Sequence, residues 1–235
     1  MKFGVIIPVY NEPRLAGLLA RFDFAATPDV FVVDDGSDDG STRLTGSYPV
    51  TLLKHERRIG VGAAIRTGLL HLKDSGFDVA VVMAGNNKDN PAEIPLLLDP
   101  LSSGADYVQG SRYMRTSERG AFGLGRHFLT RTAPILWSLR FGRRLTEVTS
   151  GFRAYRLSLL DRPGVDIRQD WLNKYELELY LQYKALALGL NYVEVPVTKV
   201  YPSDGRPTSK IRLLLDWDWW SFMRPIVLLS LGLKK

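Results

Sequence analysis

Phe3–Glu12 reads FGVIIPVYNE, and Val30–Ser37 reads VFVVDDGS. In each, a run of β-branched and aromatic residues gives way at once to polar and acidic ones. Runs that are apolar at nearly every position, rather than at every second one, suit strands buried on both faces. Val50–Leu53, Val79–Met83, Tyr107–Val108 and Tyr192–Val197 are further strand-like runs. Helical patterns lie between them, over Arg14–Phe22, Val61–Lys73, Glu93–Leu101 and Leu177–Leu188. This alternation predicts an α/β fold: one Rossmann-like, mostly parallel central sheet with helices on both faces.

The 235 residues suit one such domain with elaborations. No internal repeat or Pro/Gly-rich linker divides them, and the expected organisation is a main domain over 1–210 with a C-terminal amphipathic helical tail over 211–235. With 45% hydrophobic and 24% charged residues, the chain has enough apolar content for a sizeable core. The absence of cysteine excludes disulfides, thiolate metal sites and a cysteine nucleophile. Three scattered histidines (His55, His71 and His127) do not make a histidine metal site. The net charge of +6 favours anionic partners, but no nucleic-acid recognition motif accompanies it. The N-terminal apolar run is too short for a signal peptide, and no stretch offers the ~20 apolar residues of a spanning helix. The expected location is cytoplasmic, peripheral to the cytoplasmic face of a membrane.

In open α/β sheets, ligands bind beyond the carboxyl ends of the strands. The residues just after each run are therefore informative: Tyr10-Asn11-Glu12, then Asp34-Asp35-Gly36-Ser37, then Ala84-Gly85-Asn86-Asn87-Lys88-Asp89, then Gly110-Ser111-Arg112. Asp-Gly-Ser alone is explained as a helix cap. Four polar loops on one sheet edge predict a binding site.

Taken in order, IIPVYNE (Ile6–Glu12), VVDDGSDDGS (Val32–Ser41), RIGVGAAIRTGL (Arg58–Leu69), QGSRY (Gln109–Tyr113), TSGFRAY (Thr149–Tyr155), VEVPV (Val193–Val197) and TSKI (Thr208–Ile211) resemble the family 2 glycosyltransferases, which have the GT-A fold. The likeness is greatest to the polyprenol-phosphate sugar transferases. Each motif is weak alone; seven in family order are strong. The resemblance implies a nucleotide-sugar donor and a lipid-phosphate or glycan acceptor. It carries Pro8, Tyr10, Glu12, Asp34 and Asp35 over as nucleotide contacts, where carboxylates suit base N–H and ribose O–H groups. Gly62, Asn86 and Lys88 join them as candidates; a glycine there either admits the donor or makes a tight turn. Arg112, Arg126, Arg153 and Lys210 are the candidate catalytic residues, expected to handle phosphate. For Arg153, a structural ion pair with Glu147 is the competing reading.

The chain departs from the family after Val79–Met83. Relatives carry Asp-x-Asp where this chain has Ala84-Gly85-Asn86. A divalent Mg²⁺ or Mn²⁺ prefers carboxylate oxygens. Three readings stay open: an altered metal site on Asn86 and Asp89, replacement of the metal by Lys88 and nearby arginines, or a non-catalytic sugar-nucleotide-binding protein.

An ionised lipid phosphate needs no general base, whereas a sugar hydroxyl does. Glu176 and Glu178 are the acidic candidates on the acceptor side, and their spacing lets at most one face the site. Arg112–Arg144 holds eight arginines against one acid, Glu118. Within it, Leu124–Leu145 reads as an interface-lying amphipathic element suited to a membrane surface.

Overall fold

The computed structural model describes residues 1–114, 124–201 and 218–234. The first strand, β1 (Phe3–Val9), lies at the centre of the layers because both its faces are apolar. Val5 and Ile7 point into one hydrophobic cluster, and Ile6 points into the other. Among the described residues, β1 shares one sheet with β2 (Val30–Asp34), β3 (Thr51–Lys54), β4 (Val79–Val82), β5 (Tyr107–Ser111), β6 (Arg153–Arg156) and β7 (Tyr192–Pro196). The order is β3-β2-β1-β4-β6-β5-β7. β1, β2, β3 and β4 run parallel, as do β5 and β7.

The expected sheet is there, with one unanticipated member. β6 lies antiparallel between β4 and β5. Its sequence, RAYR, shows no apolar run, because Arg153 and Tyr155 are buried polar-ended side chains in the sheet layer.

The helices are α1 (Leu15–Leu19), α2 (Val61–Asp74), α3 (Ile94–Ser102), α4 (Leu124–Phe141), α5 (Glu176–Ala187) and α6 (Asp218–Ser230). α1 and α3 bury Leu15, Leu18, Leu19, Ile94, Leu97 and Leu101 against the Val5 side. α2 and α5 cover the Ile6 side with Ala64, Leu69, Leu72, Leu177 and Tyr180. Each fully buried leucine contributes roughly 1.5–3 kcal/mol.

Ile226 and Leu229 of α6 are buried in the Ile6-side cluster, and Phe222 stacks on Tyr175 with ring centroids 4.8 Å apart. Trp137 of α4 is also core, 1% exposed, against Phe141 and Tyr183. The outward side of α4 is apolar: Leu139 is 76% exposed, Ile135 58% and Leu136 46%. No helix among the described residues is long and apolar enough to cross a membrane.

Candidate active site

The carboxyl ends of β1, β2 and β4 open onto a cavity of about 700 Å³, lined on one side by Pro8, Tyr10, Glu12, Asp35, Arg58 and Gly60. Two loops are stitched together to form this wall. Asn11, in the left-handed region at φ 46°, accepts from the Asp38 backbone N–H at 3.0 Å and donates from Nδ2 to Asp38 Oδ1 at 2.8 Å. The Asn11 and Glu12 backbone N–H groups donate to Ser37 Oγ and Ser41 Oγ. Tyr10 is half-buried, with the Arg58 guanidinium 4.4 Å from its ring centre. A flat aromatic beside carboxylates and a cation suits a nucleoside.

The paired aspartates have separate tasks. Asp34 is fully buried off the cavity wall, accepting from the Ser37 N–H (2.8 Å) and Thr42 Oγ1 (2.9 Å). It shapes the loop, and the structure does not bring it to the cavity. Asp35 reaches the cavity but already accepts from the Ile59 and Gly60 N–H groups at 2.9 and 2.8 Å and contacts His55 Nδ1 at 2.9 Å.

That anchors Gly60, whose φ of +138° few other residues tolerate. Gly62 is not on the cavity wall. A Cβ there would stand 2.2 Å from the Leu172 carbonyl and 2.3 Å from that of Lys174. Gly62 therefore serves close packing of α2 on the 172–174 segment, rather than approach of the backbone to a donor.

The opposite wall is cationic: Lys88, Arg112 and Lys199 are 2%, 3% and 7% exposed and all line the cavity. Arg112 donates from Nε to Glu147 Oε2 at 2.6 Å and from Nη1 to the Tyr201 hydroxyl at 3.0 Å. Burial opposes its charge, but Glu147, Tyr201 and Tyr113 outweigh burial and hold its pKa above the ordinary value. Glu147 in turn accepts from the Thr149 and Ser150 N–H groups. Lys199 Nζ lies 2.8 Å from Asp89 Oδ1 and donates to Ser150 Oγ at 3.2 Å. Burial pulls the Lys199 ammonium below the usual lysine range, and Asp89 opposes that.

Arg153 is not among the cavity-lining residues. It donates to the Tyr107 hydroxyl and the Glu178 carbonyl, each at 3.0 Å, and sits 3.5 Å from Glu178 Oε1. Its acidic partner is thus Glu178, and Glu147 belongs to Arg112. Glu178 lines the cavity, whereas buried Glu176 faces Arg224 of α6 at 3.5 Å. Arg126 lies in the first turn of α4; its side chain, like all of Lys210, is outside the described residues.

Lys199, Arg58 and Tyr201 were not singled out in the sequence, and Glu147 was named there only as a partner for Arg153. Lys199 sits in VPVTKV, a single lysine after an apolar run, and nothing in that pattern distinguishes it from a solvated one.

Asn86 and Asp89 do not fit a divalent cation as expected. Asn86 lines the cavity with a buried, unpartnered Oδ1, one neutral ligand oxygen. Asp89 is fully buried, off the cavity wall, and faces an ammonium. Its oxygens take no well-angled hydrogen bond, so the 2.8 Å contact is an ion pair by distance. No group of three His, Cys, Asp or Glu residues able to hold a metal occurs among the described residues.

The Glycosyl transferase family 2 model matches residues 4–162. A polyprenol monophosphomannose synthase of Mycolicibacterium smegmatis is 32% identical over 202 residues, covering 83% of this chain and 76% of that protein. An undecaprenyl-phosphate mannosyltransferase of Micrococcus luteus is 31% identical over 209 residues, covering 85% of this chain and 84% of that protein. Among solved structures, glucosyl-3-phosphoglycerate synthase from Mycobacterium tuberculosis, in complex with Mn²⁺, UDP-glucose and phosphoglyceric acid, superposes with a TM-score of 0.66. The identity is 18%, over 98% of this chain and 80% of that one, a likeness of fold: GT-A.

Proposed function

This chain belongs to glycosyl transferase family 2, and we propose that it moves a sugar from a nucleotide-sugar donor to a polyprenyl phosphate, with inversion at the sugar carbon. The observation that carries this is the division of one cavity between a nucleoside-suited wall (Pro8, Tyr10, Glu12 and Asp35) and a buried cationic wall (Lys88, Arg112 and Lys199). The names of the two relatives support a polyprenyl-phosphate acceptor.

An acceptor phosphate is ionised at neutral pH, so its oxygen attacks without a general base. The new bond from the phosphate oxygen to the anomeric carbon forms as the bond from that carbon to the donor diphosphate breaks. The products are a glycosyl phosphate lipid and a nucleoside diphosphate. Lys88, Arg112 and Lys199 meet the charge that develops on the leaving diphosphate, and being already fixed they need no reorganisation. Arg126 and Lys210 remain candidates for the acceptor phosphate. Asn86 and Asp89 do not serve this reaction as metal ligands, because their donor set does not fit a divalent cation. Family membership and an intact cationic wall favour catalysis over a non-catalytic binder.

Glu178 supports a second reading. It is a carboxylate on the cavity wall, and a hydroxyl acceptor on a glycan would need such a base. Its 3.5 Å contact with Arg153 is the reason to place it second.

The outward face of α4 offers Ile135, Leu136 and Leu139 beside exposed Arg140, Arg143 and Arg144. Apolar side chains ringed by arginines suit an anionic membrane surface, where the acceptor would reside. The working location is then the cytoplasmic face, where nucleotide sugars are present.

Calorimetric titration with UDP, GDP, CDP and dTDP tests the donor assignment. One of the four should bind with one site per chain, and Tyr10→Ala should weaken it. Absence of binding by all four contradicts the proposal.

A further inference from the structure

We propose that Lys199, together with Lys88 and Arg112, is a resident cation cluster that does the electrostatic work of a divalent metal, so that the donor diphosphate binds this chain without one. This deepens the nucleotide-sugar reading above and rests on it.

The loop after β4 is closed to the usual arrangement of ligands. Gly85 is buried on the cavity wall, and a Cβ at this position would come 2.6 Å from Val9 Cγ1. A side chain at position 85 would have to displace the Val9 side chain. Ala84 carries no ligand atom, and Asn86 offers a neutral oxygen. The one carboxylate in the loop, Asp89, is held away by the backbone itself. Asp89 and Lys199 form an antiparallel bridge, and the Val200 N–H donates to the Lys88 carbonyl at 2.9 Å. On the next residues, Glu93 accepts from the Thr198 N–H and hydroxyl, both at 2.8 Å.

From the other side, the Arg21 guanidinium donates to Asn87 Oδ1 (2.8 Å), the Asp89 carbonyl (3.2 Å) and Asn90 Oδ1 (3.0 Å). The loop is thus pinned at both edges. Turning Asp89 towards the cavity would break this bridge and leave Lys199 buried without its counter-charge.

The same pinning directs cations inward. Three buried basic side chains line the cavity, and two of them are held in place by buried carboxylates, Lys199 by Asp89 and Arg112 by Glu147. Glu178, a further acid on the lining, faces Arg153. A buried, preorganised ammonium or guanidinium acts on a diphosphate through a low dielectric, much as a bound metal does. Asp89 then serves to hold Lys199 charged and in place rather than to bind metal.

The test is calorimetry on the full chain after exhaustive dialysis against EDTA, with inorganic pyrophosphate and the UDP, GDP, CDP and dTDP panel, repeated with excess Mn²⁺. The expected result is that pyrophosphate and one nucleotide bind in EDTA, with affinity changed less than about threefold by Mn²⁺. Lys88→Met should weaken both roughly 10- to 100-fold in EDTA. Lys199→Met alone leaves Asp89 buried and unpaired and is prone to unfold. The neutral double variant Asp89→Asn with Lys199→Met avoids that, and it should also weaken both ligands. Binding that appears only with Mn²⁺, or unchanged affinity in both folded variants, overturns the cation-cluster proposal and leaves the nucleotide-sugar reading standing. No binding under either condition overturns both.

Discussion

Arg112 Nε and Glu147 Oε2 meet at 2.6 Å, with the two side chains 2% and 0% exposed, at the wall of the cavity. Breaking a buried pair by removing one partner costs about 3–5 kcal/mol, because a charge is left uncompensated. Arg112→Ala should therefore lower stability by that order and abolish transfer. Arg112→Lys keeps the charge but loses the fork to Glu147, Tyr201 and Thr149. It should retain most stability and reduce turnover about tenfold or more. Denaturation midpoints and product formation measured on both variants check this. A stable Arg112→Ala chain with undiminished turnover contradicts it.

Gly62 is where α2 passes closest to the 172–174 backbone. Gly62→Ala drives a Cβ into two carbonyl oxygens and should cost about 1–3 kcal/mol. Gly46→Ala, with no heavy atom within 4 Å of the added carbon, is the control and should be near neutral. Thermal denaturation of the two variants decides; equal midpoints would remove the packing role.

Glu178→Gln discriminates between acceptor classes. With a phosphate acceptor, no base is needed, and turnover should stay within about tenfold of the parent. A loss of about 10²–10⁴ in turnover, with donor affinity unchanged, would instead assign Glu178 as base for a hydroxyl acceptor.

The exposed face of α4 predicts salt-sensitive binding to anionic vesicles. Ile135→Glu with Leu139→Glu changes residues 58% and 76% exposed, so the fold should be undisturbed. Co-sedimentation with phosphatidylglycerol vesicles should fall strongly in the double variant while its melting temperature stays the same. Equal sedimentation of parent and variant would move the membrane contact elsewhere.

The strands were legible because burial on both faces leaves a plain apolar signature, seen in FGVIIPV and VFVV. The missing strand, β6, was not, since its inward positions include an arginine whose charge is met by Glu178 and by the Tyr107 hydroxyl. At the candidate site, the polar strand ends marked the edge of the sheet onto which the cavity opens. They did not reveal the division between Asp34, bonded inside its own loop, and Asp35, which holds Gly60. That depends on which backbone N–H groups each loop brings within reach of a carboxylate. Nor did they show Lys199, which reaches the cavity through a bridge between segments 110 residues apart. Pairings of that range leave no local pattern. The Asp-x-Asp departure was visible in the sequence, but whether Asp89 faced the cavity was a matter of tertiary contact.

The most direct measurement is transfer itself. The full chain is incubated with radiolabelled nucleotide sugars, one base and sugar at a time, and polyprenyl phosphate in detergent or vesicles, with the corresponding polyprenol as a parallel acceptor. The expected result is label in an acid-labile lipid phosphate with one donor, none with the alcohol, and loss of product in Lys88→Met. Donor binding without transfer to the phosphate, or transfer to the alcohol instead, would contradict the proposed reaction.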